Sequence, residues 1–169
     1  MDFALLPLED TDLEQFKKDM KYAFRKGAEN GLGESEEVLP EEDIDGSLLS
    51  KGAIGYKAVL DGEIVGGAIV VINEVTQRNH LDFLYVKHGV QSKGIGQKIW
   101  SEIERIHHET SIWETCTPYF DKRNIHFYIN CCGFHAVEFF NQYHTDPDFP
   151  DDCEDEKFGG MFRFEKVMR

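Results

Sequence analysis

The sequence predicts an α/β fold: one domain, residues 1–169, with helices and strands interleaved about a single mixed sheet. Three observations carry that prediction. Residues Leu81 to Arg105 read as a buried strand, a glycine-containing turn and an amphipathic helix. Asp61-Gly62 separates two apolar runs, a strong hairpin signal, because a type I′ turn needs positive φ at both central residues. Met161 to Val167 alternates as a final strand should. The length suits one hydrophobic core, and neither a repeat nor a long linker divides the chain.

Taken in order, Phe3 to Leu8 is a short apolar run that suits a first strand. Thr11 and Glu14 form a capping box, so a helix opens there, with Leu13, Phe16, Met20 and Phe24 as its buried stripe and Gly27 as its stop. Ala28 to Leu39 is polar and glycine-rich and reads as loop. Pro40 suits the first position of a short second helix that buries Ile44, Leu48 and Leu49. Ala53 to Leu60 and Glu63 to Asn73 are the hairpin strands, the second nearly all apolar and therefore central. Thr76 to Asn79 is a turn, and Leu81 to Val86 returns as a strand. The next helix, Gly96 to Arg105, belongs to an apolar stripe of Ile95, Ile99, Ile103 and Ile106, at steps of four, four and three. It ends near His107 and His108, read as partners of the helix dipole. Ser111 to Thr115 is a strand. Asp121 to Cys132 is helical, with Ile125, Tyr128, Ile129 and Cys132 on one face and Gly133 as a left-handed cap. Phe134 to Tyr143 is a strand. Trp100, Trp113 and the phenylalanines read as core. About seven strands and four helices result.

The turn between Val86 and Gly96 is a place for an anion. Backbone N–H groups without helical partners converge at a helix N-terminus, and the dipole there favours negative charge. The segment lacks the G-x-x-x-x-G-K-[ST] of a P-loop, and Ile99 stands where a dinucleotide fingerprint needs a third glycine. What fits is Q-x-x-G-x-G, Gln91 to Gly96, after the strand end Leu84 to Val86.

That pattern resembles the pyrophosphate loop of the GNAT superfamily of acetyl-coenzyme A-dependent N-acetyltransferases. Asn124 to Phe134, NIHFYINCCGF, resembles the second signature of the same family, and the order of elements is similar over essentially the whole chain. The resemblance implies a GNAT-like mixed, mostly antiparallel sheet in which the strand ending at Val86 splays from that at Ser111 to Thr115. Pantetheine then bonds to backbone at Leu84, Tyr85 and Val86. Gln91, Ser92, Lys93, Gly94, Ile95, Gly96, Gln97 and Lys98 hold the pyrophosphate, with Lys93 or Lys98 adding charge. Asn124 contacts the pantetheine arm, and Tyr128 sits near the sulfur as acid toward the leaving thiolate. Tyr128 lies five residues before Gly133, where four is commoner, so its hydroxyl is displaced or the helix ends differently. Asp82 is the candidate base, on the expectation that residues 82, 84 and 86 share one strand face. Glu114 on the neighbouring strand is the rival. The implied reaction is attack of a primary amine on acetyl-CoA in a ternary complex, with no metal and no covalent enzyme intermediate. The competing readings are a coenzyme-A-binding sensor or scaffold without turnover, and an acidic module that docks a basic protein.

Composition narrows the partners. Eighteen Lys and Arg against 32 Asp and Glu give a net charge of −14, the opposite of a nucleic-acid footprint. No apolar run is long enough for a bilayer, and no basic region precedes the first apolar stretch as in a signal peptide, so a cytoplasmic protein is expected. Cys116, Cys131, Cys132 and Cys153 lack metal-site spacing and read as reduced thiols. Fifteen of the acids lie in two stretches free of Lys and Arg, Gly27 to Ser50 and His144 to Glu156. The remaining 17 acids nearly balance the 18 bases. In the resembled fold these stretches border the acceptor side, so a cationic amine is expected. The oligomeric state is open, a homodimer included.

Overall fold

The computed structural model describes residues 2–32, 39–90, 94–147 and 160–168. In chain order the elements are β1 (Phe3–Pro7), α1 (Leu13–Leu32), α2 (Glu41–Leu49), β2 (Ala53–Leu60), β3 (Glu63–Val71), β4 (Arg78–Val86), α3 (Ile95–Ile106), β5 (Ile112–Pro118), α4 (Lys122–His126), β6 (His135–Phe140) and β7 (Met161–Val167). The strands form one sheet in the order β1-β2-β3-β4-β5-β7-β6. Every pairing is antiparallel except β4 with β5. The α/β class and the order of strands and helices follow the sequence reading.

Local chemistry explains most boundaries. Asp61 and Gly62 both have positive φ, 51° and 87°, as the hairpin turn between β2 and β3 requires. The entry to α1 differs from the expected Thr11–Glu14 box. A 3₁₀ turn spans Asp10–Asp12, and the Asp12 carboxylate accepts from the Glu9 N–H at 3.0 Å. Gly27 does not stop α1, which runs on to Leu32. Its backbone is not in the left-handed region. An interior glycine therefore only weakens the helix there, by about 1 kcal/mol relative to alanine. His107 caps α3, but burial pushes its imidazole below the usual range and the ring meets the Tyr56 hydroxyl at 2.7 Å. It is a packed neutral ring, not the dipole partner expected.

Two layers flank the sheet. On one face α3 and the segment after α4 cover Leu81, Leu84, Trp113, Phe134 and Phe164, with Ile95, Ile99 and Ile103 as the helical stripe. Trp100 packs edge-on against Trp113, ring centroids 5.2 Å apart. On the other face α1 and α2 bring Phe16, Met20 and Ile44 onto Ile69 and Tyr85. Of the expected aromatic core, Trp100, Trp113, Phe16, Phe134, Phe140 and Phe164 are buried, while Phe24 and Phe127 line a cleft.

Three irregularities shape the site. First, β4 and β5 pair only through Arg78–His80 and Ile112–Glu114, so the strands part from Leu81 and Thr115 onward. Second, the β3–β4 register slips, with Ile69 opposite Phe83 but Val70 opposite Leu81. Asp82 is the extra residue of this bulge. It turns to α2 and His80, while Leu81 and Leu84 enter the opposite core. The expectation that 82, 84 and 86 share a face fails here, because a bulge breaks the period of two. Third, the expected helix Asp121 to Cys132 splits. After α4 the segment Phe127–Cys131 is one π-helical turn, with Cys132 N–H on the Phe127 carbonyl at 3.0 Å. The wider turn absorbs the additional residue between Tyr128 and Gly133. Gly133 closes it at φ 84°, as expected.

Candidate active site

The gap between β4 and β5 opens into a cleft of about 290 Å³. Leu84, Tyr85 and Val86 form its floor. Gly94, Gly96 and Gln97 of the α3 start, and Asp121, Arg123, Asn124, His126, Phe127 and Cys131, form one side. Ala23, Phe24 and Gly27 of α1 form the other. The Lys87 N–H bonds to the Val65 carbonyl at 2.7 Å, so in this antiparallel ladder Tyr85 and Lys87 address β3. The backbone groups of Leu84 and Val86 alternate with them and face the gap.

The start of α3 carries the anion chemistry. Gly94 is its N-cap, in the left-handed region at φ 70°, which a Cβ would disfavour. Gly96 packs under Phe127, and a Cβ there would lie 3.0 Å from the ring. The first N–H groups of α3 thus sit at the cleft wall with the helix dipole behind them. Gln91, Ser92 and Lys93 lie outside the described residues. Ile95 is buried in the core, 1% exposed. Lys98 does not line the cleft; its ammonium lies over the Phe3 ring. Among the described residues positive charge at the cleft comes from Arg123, with His126 beside it, and sequence reasoning passed over both. Gln97 Nε2 donates to the Cys131 carbonyl at 3.2 Å and braces the two walls. The Asn124 N–H donates to Asp121 Oδ1 at 3.1 Å, which caps α4. Burial raises the Asp121 pKa.

At the closed end of the gap, the Thr115 hydroxyl donates to the Leu81 carbonyl at 2.9 Å. The Tyr128 phenol lies beside the same Thr115. Tyr128 is 5% exposed among Phe127, Phe134 and Phe164, and burial raises its pKa. It does not line the cleft.

On the α2 side of this closed end four side chains meet. Ser47 of α2 donates to Asp82 Oδ2 at 2.5 Å, and His80 Nδ1 donates to Asp82 Oδ1 at 2.6 Å. Cys116 of β5 lies beside the same imidazole. Burial opposes charge on His80, but the bond to Asp82 and the nearby Cys116 outweigh it and push the imidazole up to about 10. The sequence reading singled out only Asp82. The spacing His80-x-Asp82 was the available signal for one partner, since alternate residues share a face. The rival base, Glu114, lies between Arg78 and Arg163, which also bind Glu165. Its carboxylate is thus engaged by two guanidiniums. Among the described residues no His, Cys, Asp and Glu group has the arrangement of a metal site, and no helix is long and apolar enough to cross a membrane.

Known proteins share this architecture. The family described as acetyltransferase (GNAT) family matches residues 18–134. The uncharacterized protein YrkN of Bacillus subtilis (strain 168) is 40% identical over 168 residues, 95% of this chain and 91% of its own length. The PaiA N-acetyltransferase of Thermoplasma acidophilum, solved with coenzyme A, superposes with a TM-score of 0.69 at 18% identity, over 99% of each chain. The spermidine N-acetyltransferase of Vibrio cholerae, solved with coenzyme A and spermine, gives 0.69 at 11% identity, over 98% of this chain and 95% of its own. With a seven-stranded sheet parted between β4 and β5 and a family match over most of its length, the chain belongs to the acetyltransferase (GNAT) family.

Proposed function

We propose that the protein transfers the acetyl group of acetyl-CoA to a primary amine, by direct attack in a ternary complex. One observation carries this function: the parted strands β4 and β5 open onto the N-terminus of α3. Pantetheine extends β4 along Leu84, Tyr85 and Val86. The α3 N–H groups, from Gly94 to Gln97, and Arg123 meet the pyrophosphate. Gln91, Ser92 and Lys93 complete that loop, and Asn124 meets the pantetheine arm. A β4 backbone N–H in the gap stabilises the developing oxyanion. Asp82 is the candidate base for the ammonium proton.

The acceptor is a cationic amine. Ser47 ties α2 to the closed end through Asp82. The first turn of α2 holds Glu41, Glu42 and Asp43, about 9 Å up the helix at 1.5 Å per residue. That turn draws cations toward the gap, in keeping with the spermine bound by the Vibrio cholerae neighbour. Of the other acids of the two stretches, Asp45 pairs with Lys17 at 2.9 Å, while Glu34, Glu36, Glu37 and the acids from Asp148 to Glu156 lie outside the described residues. Free thiol release from acetyl-CoA is the test, with a panel of amines at ~0.1 M and ~1 M salt, where the Debye length shrinks from about 10 Å to about 3 Å. The specificity constant for a polyamine should fall with salt, and that for a neutral-bodied monoamine should fall less. Acetyl-CoA binding without thiol release from any amine would favour the sensor or scaffold instead.

A further inference from the structure

The gap between β4 and β5 ends on a hydrogen bond that lies outside the backbone ladder. The last paired residues are His80 and Glu114. One step on, the Thr115 hydroxyl of β5 donates to the Leu81 carbonyl of β4 at 2.9 Å, so the bond spans the gap itself. Both residues are buried, Leu81 at 0% and Thr115 at 1% exposure. In a continued parallel ladder a backbone N–H would serve such a carbonyl. Here a side chain takes that place where the strands begin to part, and it occupies the apex of the gap.

The surroundings of the apex decide what fits beside this plug. Toward α2, both Asp82 oxygens are taken, by Ser47 at 2.5 Å and by His80 at 2.6 Å. An alkyl chain pushed in there would break polar bonds and replace none of them. Toward α3 the wall is apolar. Alternate residues of β5 share a face, and Thr115 shares the buried face of Trp113. It lies opposite Phe164 of β7, and the Tyr128 ring packs against Phe164 and Phe134 with centroids 6.2 and 5.6 Å apart.

Distance then sets the length of the acyl group. Pantetheine along β4 as far as Leu84 points its sulfur at the apex. Leu84 and Leu81 are three residues apart, but the bulged Asp82 is one of them, so two strand steps remain, roughly 7 Å at 3.3 Å per residue. A thioester and one methyl group fill that length, and a further methylene meets Thr115.

We propose that Thr115 sets the acyl length of the transfer: its side chain, fixed by the Leu81 carbonyl, ends the gap at two carbons and excludes propionyl and longer groups. The inference rests on an acyl-CoA being the donor. Replacing threonine by alanine removes one oxygen and one methyl group, the room that one or two added methylenes need. The space so opened borders Tyr128 and Phe164, an apolar wall that suits an alkyl chain.

The test measures thiol release from acetyl-, propionyl- and butyryl-CoA, with spermine or the best amine of the panel as acceptor. Calorimetry without amine measures the affinity for each donor. The parent chain should favour acetyl over propionyl by at least about tenfold in kcat/KM, since one methylene in a fitted apolar pocket is worth roughly 10–200-fold. Thr115→Ala should lower that preference about tenfold and bring the affinity for propionyl-CoA close to that for acetyl-CoA. Thr115→Val keeps the volume and should keep the preference. Thr115→Ser keeps the bond to Leu81 and loses one methyl, so it carries the test where the alanine variant does not fold. With it propionyl-CoA should gain about tenfold and butyryl-CoA should not. A purely structural role would lower all three donors alike. Equal use of the donors by the parent, parental ratios in the alanine and serine variants, or a valine variant as relaxed as alanine overturns this inference and leaves amine acetylation standing. No thiol release from any donor with any amine overturns the proposed function, and the inference with it.

Discussion

Replacing Tyr128 by phenylalanine removes one hydroxyl from a ring that Phe127, Phe134 and Phe164 hold at centroid distances of 5.3, 5.6 and 6.2 Å. The new ring fits the same space, so no cavity opens. What is lost is the polar contact of the phenol with Thr115, worth at most one hydrogen bond. Thr115 keeps its own bond to Leu81. A net hydrogen bond is worth about 0.5–1.5 kcal/mol, so the expected loss of stability is about 1 kcal/mol. For 169 residues that lowers Tm by about 2–4 °C. The effect on the chemical step separates two roles. A general acid supplies on the order of 100-fold or more. A residue that only fixes Thr115 at the closed end should change the single-turnover rate by less than about tenfold, the equivalent of ~1.4 kcal/mol. Since the phenol is buried and stands outside the cleft, the smaller effect is expected. Thermal unfolding and single-turnover thiol release over a pH series measure both quantities. An unchanged Tm with a rate lowered by about 100-fold would refute the assignment of the hydroxyl to Thr115 and make Tyr128 the acid.

Two further perturbations probe opposite ends of the cleft. Gly96→Val should weaken acetyl-CoA binding at least about tenfold in calorimetry, ~1.4 kcal/mol. Its Cβ lies 3.0 and 3.1 Å from Phe127 and forces the ring into the cleft or the helix start away from it. An affinity equal to that of the parent chain would show that the α3 start is not the anion site. Asp82→Asn should change the pH dependence of stability. The folded-state pKa of His80 is raised from 6.5 to about 10, so its stabilisation is full below about 6.5 and is lost as pH rises toward 10. Denaturant unfolding should show the parent losing stability across that window, with Asp82→Asn starting lower and declining less. Equal slopes for parent and variant would show that Asp82 is not what holds the proton on His80.

The sequence by itself determined the parts that depend on near neighbours. The isoleucine spacing defines α3, Asp61-Gly62 defines a hairpin, and Gly94 defines a helix start that tolerates left-handed backbone. Each follows from the steric demands of a few consecutive residues, so each was legible without the fold. The family was legible for the same reason, since its signatures are written in short spacings. Extent was less legible than existence: α1 passes through Gly27 because a single glycine weakens a helix without ending it. Only the tertiary structure decided where side chains meet. A one-residue bulge sent Asp82 to the face opposite Leu84, because a slip in register reverses the sense of every alternation beyond it. One π-helical turn buried Tyr128 against Thr115 while Phe127 faced the cleft. Ser47 and Asp82 are 35 positions apart in the chain. Cys116 reaches His80 only because β4 and β5 run side by side for three residues before parting. Contacts of that kind follow from strand register, and spacing within a sequence carries no record of it.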